Sequence, residues 1–114
     1  MKIYLAVPYS HDNIKVKEER FNKVTLLNGK LMNDGNLVYS PITACHPVAM
    51  VCKIPGSWEY WEKLDRSFIN WCDIVYIYCL EGWKESTGIQ AEIKIANELK
   101  KPIMYYYDKK EKAT

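Results

Sequence analysis

The sequence predicts an α/β protein with a three-layer, flavodoxin-like (Rossmann-like) fold, in which a four-stranded parallel sheet in the order 2-1-3-4 carries helices on both faces. Strand-like and helix-like segments alternate along the chain, which favours parallel strands joined by right-handed crossovers. The stretch DIVYIYCL (73–80) is almost continuously apolar, as expected of a central strand covered on both faces. The length of 114 residues is enough for one domain with a modest core, which we place at 1–107, before a polar tail at 108–114.

The first half of the chain supplies two short strands and one long helix. KIYLAV (2–7) is rich in apolar residues and ends at Pro8, which predicts a strand. Apolar residues recur at helical spacing from 12 to 33, where an Asp-Gly pair ends the predicted helix. NLVYS (36–40) predicts the second strand, which stops before a proline.

The second half of the chain alternates helix and strand twice more. A serine cap begins the helix predicted over 57–72, and the apolar strand at 73–80 follows it directly. A further helix is predicted over 87–100 and the last strand over 101–107. The remaining tail, DKKEKAT (108–114), is polar and is predicted to fray.

In the segment between the second strand and the second predicted helix, the apolar residues follow neither helical nor strand periodicity. Residues 40–56, SPITACHPVAMVCKIPG, are rich in apolar side chains and bracketed by prolines, and we predict a long loop. Long loops in compact domains commonly bind ligands, and this one leaves the carboxyl end of a strand. We therefore expect it to lie over the ligand site, with His46 or an apolar neighbour facing the ligand. An irregular packed segment or a dimer contact is the alternative.

Ligands of such sheets bind at the carboxyl ends of the strands, where the connections diverge to opposite faces. In the order 2-1-3-4 that switch point lies between strands 1 and 3, which are followed by PYSH (8–11) and EGWKESTG (81–88). Glu92 comes one helical turn later, three residues after Ile89 and four before Ala96, so it borders the apolar stripe of its helix. A helix that needed only solubility would place this charge on its opposite face, so the position raises the question of a functional carboxylate, with a solvated first-turn glutamate as the alternative.

The charge balance argues against nucleic-acid and membrane partners. The chain has 16 basic and 14 acidic residues and a net charge of +2, which is too balanced to indicate either kind of binding. No apolar run approaches the ~18 residues of a membrane span, and Met1 leads straight into a strand rather than a signal peptide. We expect a cytoplasmic protein.

The four cysteines raise the question of a metal site or a disulfide. No two of them have the CxxC spacing that structural zinc sites normally use, and thiols in the cytosol are mostly reduced. We therefore expect no metal ion and no cofactor.

Four stretches of the chain occur in the order found in a known group of enzymes: KIYLAVPYS, LMNDGNLVYSPIT, CDIVYIY and STGIQAEIKIA. In these stretches the chain resembles the nucleoside 2-deoxyribosyltransferase-like superfamily, which includes deoxynucleotide N-hydrolases as well as transferases. It is most similar to a small branch found in phages and bacteria. The resemblance spans residues 2–106 and implies that 1–107 is a nucleoside deoxyribosyltransferase-like domain, an enzyme of nucleotide metabolism.

The resemblance implies two catalytic carboxyls. In that superfamily a glutamate after a small Ser/Thr/Gly turn is the nucleophile, and the matching residue here is Glu92. An aspartate on the preceding helix contacts the base or transfers its proton, and the matching residue is Asp65. We expect Glu92 to have a low pKa, aided by the helix amino terminus, and Asp65 to work with a raised pKa. The alternatives are a solvated first-turn glutamate and an aspartate paired with a neighbouring basic residue.

Nine further residues are predicted to bind substrate. They follow strands 1 and 3, open the last helix, or reach the cleft from the first helix and the long loop: Pro8, Tyr9, Ser10, Arg20, His46, Trp83, Ser86, Thr87 and Gly88. The N–H groups at a helix start suit an anion, an arginine suits a phosphate, and aromatic rings stack on nucleobases. Each residue has a structural alternative, as a helix cap, a solvated surface residue or a packed aromatic.

Three functions stay open at this point. The first is cleavage or transfer of the N-glycosidic bond of a (deoxy)nucleoside or nucleoside monophosphate through a Glu nucleophile, as a hydrolase or a transferase. The second is TIR-like hydrolysis of NAD with the same glutamate. The third is non-catalytic binding of a nucleotide or an ADP-ribose-type signal. Members of the superfamily commonly pair so that a neighbour completes each site, which implies a homodimer or higher homo-oligomer.

Overall fold

The computed structural model describes residues 1–52 and 58–108. Within these ranges the elements are, in chain order, β1 (Lys2–Ala6), α1 (Ile14–Asn33), β2 (Leu37–Tyr39), α2 (Pro41–Cys52), α3 (Trp58–Trp71), β3 (Ile74–Tyr78), α4 (Thr87–Glu98) and β4 (Ile103–Tyr106). Strands and helices therefore alternate as predicted, apart from two consecutive helices between β2 and β3. Residues 53–56 of the predicted loop and 109–114 of the predicted tail lie outside the described residues.

The four strands form one parallel sheet in the order β2-β1-β3-β4, which confirms the predicted fold. β1 lies beside β3, with Ile3 opposite Ile74 and Ala6 opposite Ile77. β2 and β4 are the edge strands of this sheet. The chain adds β2 on one side of β1 and then β3 on the other, so the topological switch point lies between β1 and β3.

Apolar side chains on the two faces of the sheet form two separate cores. On one face, α1 packs against β1 and the end of β3 through Ile3, Leu5, Val7, Val24, Leu27, Leu31, Tyr78 and Leu80. On the other face, α3 and α4 pack against the same two strands through Tyr4, Ala6, Ile69, Cys72, Val75, Ile77, Cys79, Ile89, Ile95 and Ala96. Successive side chains of a strand point to opposite faces, so β1 contributes to both cores. The fold therefore has three layers.

The loop predicted at 40–56 is wrong over most of its length, because Pro41–Cys52 form the helix α2. The sequence does carry a start signal: Ser40 precedes a proline at the first helical position, and the Ser40 carbonyl accepts a hydrogen bond of 3.0 Å from the Ala44 N–H. No charged residue occurs in PITACHPVAMVC, so no polar face marks a helical period. Pro47 also stands inside the helix, where proline is normally unfavourable.

The first residue of the predicted tail is held by the fold. Asp108 accepts a hydrogen bond of 2.7 Å from the Tyr78 hydroxyl, and its other carboxylate oxygen lies 4.0 Å from the ammonium of Lys23. The fold therefore holds the chain at least as far as residue 108.

The described residues show neither a membrane span nor a metal cluster. Over 1–52 and 58–108, no helix is long and apolar enough to cross a bilayer. In the same ranges, no three His, Cys, Asp or Glu side chains are grouped so that they could hold a metal ion. None of the four cysteines, all of which are described, forms a disulfide: Cys72 and Cys79 are buried, Cys45 is half-buried and Cys52 is exposed.

Candidate active site

A cavity of about 630 Å³ opens at the carboxyl ends of β1 and β3, where their connections diverge. Four parts of the chain line it: Val7, Tyr9 and Ser10 after β1; Pro41, Ile42, Cys45, His46 and Ala49 of α2; Trp61 and Asp65 of α3; and Ser86, Thr87, Gly88, Ala91 and Glu92 around the start of α4. The helix α2, which lies in the segment predicted as a loop, therefore forms one wall of the cavity.

Two buried carboxyls belong to this cavity. Only 9% of the surface of Asp65 and 7% of that of Glu92 is exposed to solvent. In the part of the chain that the structure describes, neither takes part in an ion pair. The Tyr4 hydroxyl donates a hydrogen bond of 2.5 Å to Oε2 of Glu92. The alternatives of a solvated glutamate and a surface-paired aspartate are therefore wrong.

The local sequence explains why Glu92 points inward. Ser86 caps α4, because its side chain accepts a hydrogen bond of 3.2 Å from the N–H of Ile89, and such a cap marks where a helix begins. Glu92 then falls on the same face as Ile89 and Ala96, three and four residues away, and all three are buried. The apolar neighbours on this face thus carry the carboxyl into the interior.

The helix α3 brings Asp65 to the same place. Asp65 lies four residues before the buried Ile69 and four after Trp61, which lines the cavity. A side-chain hydrogen bond to Tyr4 lowers the pKa of Asp65, so its carboxyl lies beside the hydroxyl that also serves Glu92. Retaining glycosidases place their two carboxyls ~5–5.5 Å apart, and the common neighbour Tyr4 brings Asp65 and Glu92 into the same part of the cavity.

Both carboxyls have raised pKa values. The pKa of Glu92 is raised to about 8, because burial disfavours the charged form and the Asp65 carboxylate repels it, while the hydrogen bond from Tyr4 acts in the opposite direction. Burial raises the pKa of Asp65 to about 6, again opposed by Tyr4. The pKa of the Tyr4 phenol lies well above its usual value, first through burial and then through the two carboxyls. Tyr4 therefore remains a hydrogen-bond donor at neutral pH.

The expectation of a low pKa for Glu92 is wrong in direction. The helix dipole acts mainly within the first turn, and Glu92 is one turn further along α4, which begins at Thr87. Removing a carboxylate from water is the larger effect at a buried position. Because both carboxyls favour the neutral form, the pair holds one proton between about pH 6 and about pH 8.

Six of the nine predicted binding residues line the cavity, namely Tyr9, Ser10, His46, Ser86, Thr87 and Gly88. The Tyr9 hydroxyl and Nδ1 of His46 share a hydrogen bond. The imidazole also stacks on the ring of Phe21, with centroids 4.4 Å apart and planes inclined by 28°. These contacts hold the His46 ring in one orientation at the cavity wall.

The other three predicted binding residues, Pro8, Arg20 and Trp83, are not part of the cavity lining. Arg20 donates to the backbone carbonyls of Ser10 and Glu81 at 3.2 and 3.0 Å, so its guanidinium is engaged within the protein. Trp83 packs against the core on the α4 face of the sheet, and Pro8 is fully buried. For these residues the structural alternatives describe the side chains better than the predicted contacts with substrate.

Among the residues of the site that sequence reasoning missed, three have aromatic or titratable side chains: Tyr4, Cys45 and Trp61. Tyr4 carries the only side-chain hydroxyl of β1, and a polar atom in the middle of a buried strand is a signal that could have been used. Trp61 shares a helix face with Asp65 because it lies four residues before it. Nothing in the sequence marks Cys45.

The structure is similar to that of 2-deoxyribosyltransferase from the psychrotolerant bacterium Bacillus psychrosaccharolyticus, an enzyme characterised as a biocatalyst for the synthesis of antiviral and antitumoral nucleosides. The two chains are 27% identical and superpose with a TM-score of 0.67, over 94% of this chain and 72% of the other. Among curated proteins, no sequence matches this chain. The fold is therefore that of a nucleoside deoxyribosyltransferase-like protein.

A family model also matches the sequence. Its description is "Domain of unknown function (DUF1937)", and the match runs over residues 1–108. This range takes in every element from β1 to β4 and both carboxyls of the cavity. The chain belongs to the DUF1937 family.

Proposed function

We propose that residues 1–107 form an enzyme domain that cleaves or transfers the N-glycosidic bond of a (deoxy)nucleoside or nucleoside monophosphate. The observation that carries the proposal is the pair of buried carboxyls, Asp65 and Glu92, arranged around the Tyr4 hydroxyl at the switch-point cavity. One ionised and one protonated carboxyl are what acid-assisted cleavage of a glycoside requires. The similarity to a 2-deoxyribosyltransferase supports nucleosides as the substrate class.

In the first step, a carboxylate oxygen of Glu92 attacks the anomeric carbon C1′ of the sugar. A C–O ester bond forms while the C1′–N bond breaks, and the electron pair of that bond leaves with the base. Asp65 donates its proton to the departing base, which therefore leaves as a neutral molecule. Tyr4 occupies Oε2 of Glu92 with its hydrogen bond, so we assign the attack to Oε1.

In the second step, water attacks C1′ and Asp65, now a carboxylate, accepts the proton that the water loses. The ester C–O bond breaks and its electron pair returns to Glu92. The products are free base and free sugar or sugar phosphate. In transfer, a nitrogen of a second base attacks instead and gives its proton to Asp65. Both paths return the two carboxyls to their starting state.

The carboxyl pair carries the single proton that this cycle uses. Burial prevents the two carboxyls from ionising together near neutral pH, so one proton stays with the pair. Because the pKa of Glu92 is the higher of the two, that proton resides mainly on Glu92, and the reactive form is the minor one, with the proton on Asp65 and the negative charge on Glu92. The hydrogen bond that Tyr4 donates to Glu92 favours the charge at that position.

Other residues of the cavity wall are suited to bind the 5′ end and the base of a nucleoside. The start of α4, at Ser86, Thr87 and Gly88, supplies N–H groups and hydroxyls suited to a 5′-hydroxyl or a phosphate. The rings of Tyr9 and His46 supply flat surface suited to a base. We propose these two assignments for the ends of the substrate.

The test is incubation of the purified protein with deoxynucleosides, ribonucleosides, their 5′-monophosphates and NAD, with and without a second base. Chromatography then measures free and exchanged base. We expect release or exchange of base from at least one nucleoside or nucleotide, and none with Glu92→Gln. Glu98→Gln is the matched control, because Glu98 lies on the same helix but pairs at the surface with Arg66 at 3.1 Å. Binding of a nucleotide without cleavage favours the signal-binding function, and cleavage of NAD alone favours NAD hydrolysis.

We further propose that the protein is a homodimer or a higher homo-oligomer. The helix α2 supports this, because it exposes Val48, Met50 and Val51 and carries no charged side chain. Exposed large apolar side chains grouped on one charge-free helix are typical of an interface. Analytical ultracentrifugation should give at least twice the mass of one chain, and a monomer at micromolar concentration would contradict the proposal.

A further inference from the structure

One arginine spans the crevice at the switch point. β1 and β3 are paired as far as Ala6 and Ile77. Beyond these residues, the loop after β1 leads to α1 on one face of the sheet, and the loop after β3 leads to α4 on the other. Arg20, on α1, donates from Nη1 to the Ser10 carbonyl at 3.2 Å and from Nη2 to the Glu81 carbonyl at 3.0 Å. A single side chain therefore holds both diverging loops.

Both loops supply walls of the cavity. Tyr9 and Ser10 line it from the first loop. From Glu81 the second loop passes through a hydrogen-bonded turn, in which the Ser86 N–H donates to the Trp83 carbonyl at 3.3 Å. Ser86 then caps α4 and lines the cavity as well. A displacement of Glu81 is therefore passed on to the start of α4.

We propose that Arg20 is a positioning residue that sets the spacing between the Tyr9–Ser10 wall and the Ser86–Gly88 wall of the cavity. This inference rests on the proposed function, because the spacing matters for a substrate that contacts both walls. Arg20 acts through the two carbonyls and does not touch the substrate.

The chemistry of the side chain suits this role. A guanidinium is planar and presents several N–H groups in fixed directions, whereas the lysine ammonium is a compact charge on a flexible stem. The loop after β3 passes close to the guanidinium, since a Cβ at Gly82 would lie 3.4 Å from Nη2 of Arg20. Gly82 also has a left-handed φ of 86°, which residues with a side chain rarely adopt.

The kinetic test compares Arg20→Lys with Arg66→Lys. Arg66, the other arginine of the chain, is at the surface, where it pairs with Glu62 and Glu98 at 3.5 and 3.1 Å. With the nucleoside that the wild type cleaves fastest, we expect Arg20→Lys to raise KM about tenfold or more and to change kcat less, because small misplacements of contacting groups are costly. Arg66→Lys should stay within about twofold of the wild type, since exposed ion pairs contribute little. A purely structural role would instead lower the melting temperature and the active fraction at unchanged KM, and that result would overturn the proposal.

Hydrogen exchange tests the same inference without any substrate. We expect Arg20→Lys to accelerate amide exchange in residues 7–12 and 81–88 together, by about fivefold or more, because the shared link that restrains local opening is weakened. Arg66→Lys should leave both segments unchanged. Acceleration in one loop alone, or in neither, would overturn the proposal. If the wild type releases no base, the proposed function fails, while joint acceleration still supports Arg20 as the link between the two loops.

Discussion

The hydroxyl of Tyr4, in a central strand of the sheet, donates a hydrogen bond of 2.5 Å to Oε2 of Glu92 on the last helix. Tyr4 is completely buried and Glu92 nearly so, so bulk solvent has little access to this hydrogen bond. A buried carboxylate is unfavourable unless it is hydrogen-bonded, and this bond is the contact that lowers the pKa of Glu92 against the effect of burial. The protonation state of Glu92 therefore depends on a contact inside the packed core.

Removing this hydroxyl tests that dependence. We expect Tyr4→Phe to lower kcat/KM by roughly 10–10²-fold, because a hydrogen bond to a charged group is lost while the ring keeps its packing. Both limbs of the pH–rate profile should move to higher pH, since the Tyr4 hydroxyl lowers the pKa of Asp65 as well as that of Glu92. Tyr76→Phe is the control, because Tyr76 lies on β3 and packs on the other face of the sheet. Equal losses in the two variants would contradict a specific role for Tyr4.

The raised pKa values predict a bell-shaped dependence of kcat/KM on pH. Below about pH 6 the carboxyl pair holds two protons and has no nucleophile, and above about pH 8 it holds none and has no acid. The rate should therefore peak near pH 7. The measurement is the rate of base release at constant ionic strength across this range. A rate that keeps rising through pH 8 would exclude Asp65 as a proton donor in the rate-limiting step.

Asp65→Asn should separate proton donation from nucleophilic attack. On ordinary deoxynucleosides we expect a loss of at least ~10²-fold, because the base must leave without its proton. A substrate whose base is already cationic, such as 7-methyl-2′-deoxyguanosine, needs no such proton, so the variant should release the first equivalent of base at close to the wild-type rate. Later turnovers should be slow, because asparagine cannot accept the proton that the attacking water loses. Equal losses on both substrates would indicate that Asp65 serves only to position other groups.

Glu92→Gln should be more stable than the wild type, by an amount that grows as the pH rises. The pKa of Glu92 is raised from 4.5 to about 8, so between these values the folded state binds a proton that the unfolded state has released. Stability of the wild type therefore falls as pH rises through this window. Glutamine has no charge to bury, and we expect it to add on the order of 2 kcal/mol, or roughly 8 °C in Tm, at pH 8.

Calorimetry at pH 5 and pH 8 checks this prediction, with Glu98→Gln as the surface control. A stability difference that does not change between the two pH values would show that Glu92 titrates normally. The same variant should release no base, so the gain in stability and the loss of activity would come from one substitution.

Most of the fold was predictable because its signals are local. The apolar run at 73–80 became β3 and the apolar stripe of the last helix carried Glu92 into the interior, since both follow from the period of neighbouring residues. The helix α2 was not predicted, because a segment without charged residues shows no polar face. Ser40 does mark the start of this helix, but the prolines in the segment favoured a loop over a helix.

The site was predictable only in part, because its key contacts join distant residues. Family resemblance and helix periodicity pointed to Asp65 and Glu92. The role of Tyr4 becomes visible only when a strand and a helix that are far apart in the chain come together. The pKa of Glu92 likewise depends on burial, which the packing of four elements determines. Arg20 donates hydrogen bonds to backbone carbonyls. Every residue has such a carbonyl, so the sequence pattern does not reveal these contacts.

The composition of α2 has a consequence for how the cavity changes in evolution. This helix supplies five lining residues, Pro41, Ile42, Cys45, His46 and Ala49, yet among its described side chains Ile42 alone packs against the apolar cores of the sheet. Tyr4, Asp65 and Glu92 are instead enclosed by packed elements, where substitutions disturb the interior. Pro41 and His46 are buried, but Cys45 and Ala49 are only half-buried and belong to neither core. Substitutions at Cys45 and Ala49 should therefore reshape the pocket at a smaller loss of stability than substitutions at the carboxyl pair, which leaves the shape of the pocket freer to change.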